Sequence, residues 1–231
     1  MGFDWETLEG RYRIQLHKSV MTRTLPTWED KKVLDIGARV GYWTQWFIEQ
    51  GADVTSVDID QQDLAVCQQE NPGAHCILDD ATKLNLSQRF DLIFCKDVIE
   101  HVNDDRKLLV NLRRHSQENG LLVLGTHNQW SLTNLLDGTY NLFFGDVWRG
   151  YDPTHVHLYN PYKLTKMLKE AGFQPMSFYG TYHWPYRNIN MKLVKHYAES
   201  RIWHGIDILK LNGVFPFNYT GWQMIIVARA V

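Results

Sequence analysis

Two apolar runs in this chain end in carboxylates, and a glycine turn follows the first. Residues 33–41 read Val-Leu-Asp-Ile-Gly-Ala-Arg-Val-Gly, and residues 54–58 read Val-Thr-Ser-Val-Asp. Gly37 and Gly41 let the backbone approach a ligand with no Cβ in the way. The helix expected after Gly41 aims free N–H groups at the same place, which suits a phosphate or a carboxylate. Asp58 can accept hydrogen bonds from both hydroxyls of a ribose, and Ile59 can cover one face of a purine. Asp79 and Asp80 follow a third run, where a carboxylate can accept from an exocyclic amine. A lone acid after a strand is ordinarily a turn residue, but here the acids recur after three successive strands.

The spacing argues against a dinucleotide, because Gly-x-Gly-x-x-Gly is absent. Asp35 instead places a carboxylate before the turn, where it repels a phosphate and welcomes an ammonium. A nucleoside carrying an amino acid fits best, and S-adenosylmethionine is that molecule. Histidine is the natural base at neutral pH for a hydroxyl nucleophile. Of the ten histidines, His127 at the end of the fifth strand and His155 are the candidate catalytic residues on the substrate side. His101 reads as structural. His155 and His157 are two apart, which on a strand puts both rings on one face. A third ligand would have to be Asp152 or His127, and no further close spacing supports it, so no metal is expected.

These residues need elements to hold them. Trp5, Leu8, Tyr12 and Leu16 recur at helical spacing, so a helix is expected over 3–20. Strands are expected at 33–36, 53–58, 74–78, 90–95, 121–126, 174–180 and 222–228. Helices are expected at 40–50, 61–70, 103–118, 161–171 and near 188–211. Asn119-Gly120 is read as the end of the helix over 103–118. Alternating strand and helix predicts an α/β fold: a Rossmann-like, doubly wound sheet, mostly parallel with an antiparallel last strand, in an α-β-α sandwich. Residues 1–30 read as an N-terminal helical segment and 31–231 as the main domain, with cap insertions at about 128–160 and 182–220. Residues 128–222 hold 20 of the 30 aromatic side chains. Trp130, Tyr140, Phe143, Phe144, Trp148 and Tyr151, with Tyr182, Trp184 and Tyr186, could roof a flat apolar or sugar-like acceptor, although many must build the cap's own core.

Bulk properties narrow the field. A chain of 231 residues buries one sizeable core. Its net charge of −2 offers no general attraction to nucleic acid. Cys67, Cys76 and Cys95 lack metal-type spacing and are too few for a disulfide scaffold. The N-terminus has no basic start and apolar core, and no apolar run reaches membrane-span length. A cytoplasmic protein with no transmembrane segment is expected.

The motifs in order resemble those of class I S-adenosylmethionine-dependent methyltransferases. Val33 to Trp43 resembles the family's first motif, Val54 to Asp60 the second and Asp79 to Leu84 the third. Phe90 to Val102 is similar to the region after the fourth strand in the subgroup of ubiquinone-biosynthesis O-methyltransferases. Asn119 to Thr126, His155-Val156-His157-Leu158-Tyr159 and Ala171-Gly172-Phe173 also resemble that subgroup. The resemblance implies that Asp35, Gly37 and Gly41 lie against the methionine moiety, that Asp58 holds the ribose, and that Asp80 and Ala81 meet the adenine. The backbone of Lys96 would line the sulfonium side, and S-adenosyl-L-homocysteine would be the product. Arg39 stands where the family has its central glycine. If that position needs a positive φ, arginine costs on the order of 1 kcal/mol or more; otherwise the loop takes another path, with Arg39 pairing the ligand carboxylate. The activity expected is methyl transfer to a small-molecule acceptor at oxygen. The alternatives are an RNA or protein methyltransferase and a non-catalytic binding or scaffold protein.

Overall fold

The computed structural model describes residues 8–131, 134–135, 152–181 and 211–231. Its centre is a seven-stranded sheet in the order β3-β2-β1-β4-β5-β7-β6. The strands are β1 (Lys32–Ile36), β2 (Asp53–Asp58), β3 (His75–Leu78), β4 (Phe90–Lys96), β5 (Ser116–His127), β6 (Phe173–Thr181) and β7 (Gln223–Ala230). β1 pairs in parallel with β2 and β4, and β7 runs antiparallel between β5 and β6. The expected doubly wound sheet with an antiparallel last strand is therefore what the chain forms. Strand order reverses between β1 and β4, and a crevice opens at the carboxyl ends of strands at such a switch point.

The helices are α1 (Leu8–Thr24), α2 (Tyr42–Glu49), α3 (Gln61–Glu70), α4 (Asp105–His115), α5 (Pro161–Glu170) and the short α6 (Phe217–Thr220). Their ends are set locally. Asp60 caps α3 by accepting from the amides of Gln62 and Asp63. Asp104 caps α4 through Lys107, and Asn160 caps α5 through Lys163 with Pro161 in the first turn. Gly51 and Gly172, both at positive φ, follow the last turns of α2 and α5.

Period-two alternation along the strands divides the core between two faces. Leu34, Ile36, Ile93, Leu122, Leu124, Met224 and Ile226 pack against Leu108 and Leu112 of α4 and Leu164 and Leu168 of α5. Val33, Leu92, Phe94, Val123, Ile225 and Val227 pack against Ile14, Val20 and Met21 of α1 and Trp43, Trp46 and Phe47 of α2.

Two expected elements move. The helix expected over 103–118 stops at His115, and β5 begins at Ser116, whose backbone is already extended. Ser116 pairs with Phe90 and Leu121 with Leu92, so residues 117–120 form a bulge. Asn119 sits at φ 62. A Cβ on Gly120 would lie 2.9 Å from the Gln117 carbonyl and 3.0 Å from that of Phe90. Asn119-Gly120 therefore marks a turn inside a strand, not a helix end. The N-terminal helix extends to Thr24, four residues beyond expectation, because Val20 and Met21 are fully buried on the sheet. The expected helix near 188–211 lies outside the described residues except for Leu211, which opens a 3-10 turn. Among the described residues no helix is long and apolar enough to cross a membrane.

Tyr159 ties the segment before α5 to this frame. Its ring is fully buried. Its hydroxyl donates to Asp105 at 2.8 Å and faces the Ile99 carbonyl at 3.2 Å. Its carbonyl accepts from the amide of Gln129 at 2.6 Å. Tyr159→Phe removes a buried hydrogen bond and should cost about 1–2 kcal/mol in urea denaturation; an unchanged midpoint would show that the hydroxyl contributes nothing.

Candidate active site

The turn after β1 is built from main-chain bonds. The amides of Gly37 and Ala38 both donate to the Val57 carbonyl, at 2.9 and 3.2 Å, and Gly41 donates to Ala38 at 2.9 Å. Asp58 completes it: Oδ2 accepts from the Arg39 amide at 2.7 Å and Oδ1 from the Asp60 amide at 2.9 Å. Both glycines have positive φ, 74° and 87°. A Cβ on Gly37 would lie 2.4 Å from the Val98 side chain, and one on Gly41 would lie 2.5 Å from Asn71 and 2.7 Å from the Cys67 sulfur. Only glycine fits at either point.

Arg39 adopts φ 49. The loop therefore keeps the path a glycine would take, and arginine carries the conformational cost, on the order of 1 kcal/mol. Its side chain is largely exposed, and Nε pairs with Asp63 of α3 at 3.2 Å. Ile59, 76% exposed, stands open at the end of β2, as a side chain that covers a flat ring would need to be. Asp80 accepts from the amide and hydroxyl of Thr82 and pairs with Lys83 at 3.2 Å. Partial burial raises its pKa, but those bonds outweigh it and leave the carboxyl below its ordinary value. Ala81 is buried, and its carbonyl accepts from Asn111 at 2.8 Å. The Lys96 ammonium bonds Asp97, which also accepts from Gln223.

Asp35 lies deeper than the other acids. It is 1% exposed, beneath the loop, with the Thr44 hydroxyl donating to it at 2.8 Å. That hydroxyl also meets Ser56 at 2.8 Å. Burial raises the Asp35 carboxyl to about 7; the Thr44 bond opposes the rise and the charge of Asp58 adds to it.

On the other side of the switch point the structure gathers both candidate bases. His127 Nδ1 lies 3.1 Å from Oε1 of Glu100, a residue only 1% exposed. Oε2 of Glu100 accepts from the Thr126 hydroxyl at 2.9 Å. The His127 ring lies 4.8 Å from that of Trp222 and 4.7 Å from that of His155, and His155 lies 4.9 Å from His101. Burial lowers the pKa of His155; His127 and His101 add to this, while Glu100 and Asp152 oppose it. His157 turns away to the Asn103 carbonyl at 3.1 Å. The donor atoms of Glu100, His101 and His155 lie within 4.8 Å of one another, as do those of Asp97, Glu100 and His127. Either set could take a divalent cation, and neither is the His155/His157 pairing that the spacing suggests. Of the aromatics expected in the cap, Trp130 is described and is 53% exposed; the other eight lie outside the described residues. Glu100 is the residue that sequence reasoning missed. Its signal was an acid two residues past Val98, at the exit of a buried strand.

A sheet in this order, with a glycine turn and a strand-end acid at its switch point, defines a Rossmann-like fold of the S-adenosylmethionine-dependent methyltransferase type. The chain belongs to the methyltransferase-domain family, whose profile matches residues 10–177. It is 23% identical over 151 residues to the ubiquinone biosynthesis O-methyltransferase of Rickettsia canadensis, a match covering 62% of each protein. The chain thus spans less than two thirds of that relative. Among solved structures it is similar to the magnesium protoporphyrin IX methyltransferase of Synechocystis PCC 6803, crystallised with S-adenosylhomocysteine. The TM-score is 0.66 at 15% identity, covering 97% of this chain and 86% of that one. It is also similar to the cyclase SpnF, with a TM-score of 0.68 at 13% identity, covering 99% and 85%.

The Asp35 carboxyl gives the folded state a proton that the unfolded chain releases near its ordinary value. Stability should therefore fall as pH rises from about 4 to about 7 and level off above. Asp35→Asn keeps an acceptor for Thr44 and removes that dependence. At pH 8 it should be more stable than the parent by roughly 1–4 kcal/mol; equal pH slopes for the two proteins would show that Asp35 is ionised in the fold throughout.

Proposed function

We propose that this protein transfers the methyl group of S-adenosylmethionine to a hydroxyl oxygen of a small-molecule acceptor. Family membership and the loop support the cofactor. The close approach of Gly37 to Val98 and of Gly41 to Asn71 and Cys67 holds the turn in the path that would receive the cofactor. Asp58 spends one lone pair of each oxygen on a main-chain amide, which fixes its plane and leaves acceptor capacity for two ribose hydroxyls. Ile59 would lie on the adenine and the Asp80–Ala81 backbone beside it. Lys96 would face the sulfonium side, and Asp35, bonded to Thr44 beneath the loop, would support the turn that meets the methionine moiety. The cofactor when bound supplies an electrophilic methyl on a good leaving group. The protein's share is then alignment, exclusion of water and removal of one proton.

The observation that carries the oxygen assignment is the Glu100–His127 pair. A buried carboxylate accepting from Nδ1–H makes Nε2 the basic nitrogen, as a base for a hydroxyl requires. His155, held toward its neutral form, lies tilted against it and can fix its orientation. The absence of a net positive charge supports a small molecule over RNA.

A second reading rests on the donor set of Glu100, His101 and His155. A divalent cation there would lower the pKa of an acceptor hydroxyl directly. One experiment separates the two readings: transfer of labelled methyl to a panel of phenols and sugars, with and without EDTA. With His127 as base, His127→Ala cuts turnover by about 10²–10⁴, and EDTA has no effect. EDTA-sensitive transfer by the parent assigns the cation. Calorimetry with S-adenosylhomocysteine tests the cofactor itself. Asp58→Ala should weaken binding by roughly 1–3 kcal/mol, and His127→Ala should leave it unchanged. No heat with the parent protein would remove the cofactor and favour a non-catalytic protein.

A further inference from the structure

A second cavity of about 430 Å³ lies far from the crevice. Its floor is the α1 side of the β5-β7-β6 sheet, and the last turn of α1 forms one wall. Leu121, Met176, Tyr179 and Val227 supply apolar surface, and Arg23 and Arg229 line the same space. Leu121 is six residues before His127 on β5, so the cavity lies about 20 Å from the crevice, toward the opposite end of the strand.

The two arginines are what ordinary packing does not explain. β7 turns Ile225, Val227 and Arg229 to this face; the first two are buried and Arg229 is the strand's single exposed residue. Arg23 is also exposed. Among the described residues no carboxylate pairs with either guanidinium, and none lines the cavity. Two like charges facing one depression repel. An anion relieves this, and a guanidinium matches carboxylate and phosphate geometry. The volume falls within the range of small-molecule sites. We propose that this cavity binds a small organic anion: a carboxylate or phosphate carried on an apolar body, with the charge between Arg23 and Arg229 and the body against Leu121, Tyr179 and Val227.

Phenyl phosphate is the probe, titrated calorimetrically into the full chain with and without saturating S-adenosylhomocysteine. One saturable site is expected, unaffected by S-adenosylhomocysteine. Inorganic phosphate, which lacks the apolar body, and benzyl alcohol, which lacks the charge, should each bind at least tenfold more weakly. The double variant Arg23→Gln with Arg229→Gln should lose at least tenfold, while Arg23→Lys with Arg229→Lys keeps most of the affinity. The proposal is overturned by any of three results: no saturable binding of phenyl phosphate, equal affinity in the double glutamine variant, or competition by S-adenosylhomocysteine. Equal binding of inorganic phosphate overturns the assigned role of the apolar wall.

Discussion

The Asp58 carboxylate holds the centre of the site together. Its two oxygens take main-chain amides from two different segments, one in the turn after β1 and one at the start of α3. A buried carboxylate is costly unless such donors satisfy it, so the bonds fix the side chain and the loop at once. The turn can then run through three positive-φ positions, Gly37, Arg39 and Gly41, with its shape set before any ligand arrives. Pre-set geometry of this kind reduces the ordering cost of binding.

The neighbouring acids show how position decides role. Asp35 and Asp58 both lie near the ends of adjacent parallel strands. Asp35 points into the helix-covered face and meets a hydroxyl, and burial lifts its carboxyl to about 7. Asp58, the last residue of β2, meets amides at the rim. Across the switch point Glu100 is as buried as Asp35, yet it faces an imidazole and a hydroxyl. The crevice thus has one wall that orders main chain and another that holds an imidazole against a buried carboxylate. The similar fold of a cyclase shows that the sheet alone does not choose the reaction.

Most of the sheet was legible because its strands are buried on both faces and read as apolar runs closed by acids or glycines. The acids of the first wall were legible for the same reason, since each ends a run. What escaped depended on contacts between segments distant in the chain. Residues 116–118 look helical by continuity with α4, but pairing of Ser116 with Phe90 claims them for β5. Glu100 lies between a strand and a helix, and only the fold brings it to His127, 27 residues on. The depth of Asp35 also escaped, because strand alternation gives its side but not how tightly α2 closes over it. Arg39 leaves two loop paths open in the sequence, and its positive φ selects the glycine-like one.

The place of β7 has a consequence for how the molecule assembles. β6 reaches the sheet only through β7, which is made 42 residues after β6 ends. At translation rates of roughly 5–20 residues per second, β6 waits about 2–8 s beside a half-built sheet with its pairing edge unprotected. During that interval β5 also shows a bare edge. Insertion of the late strand closes both edges in one step.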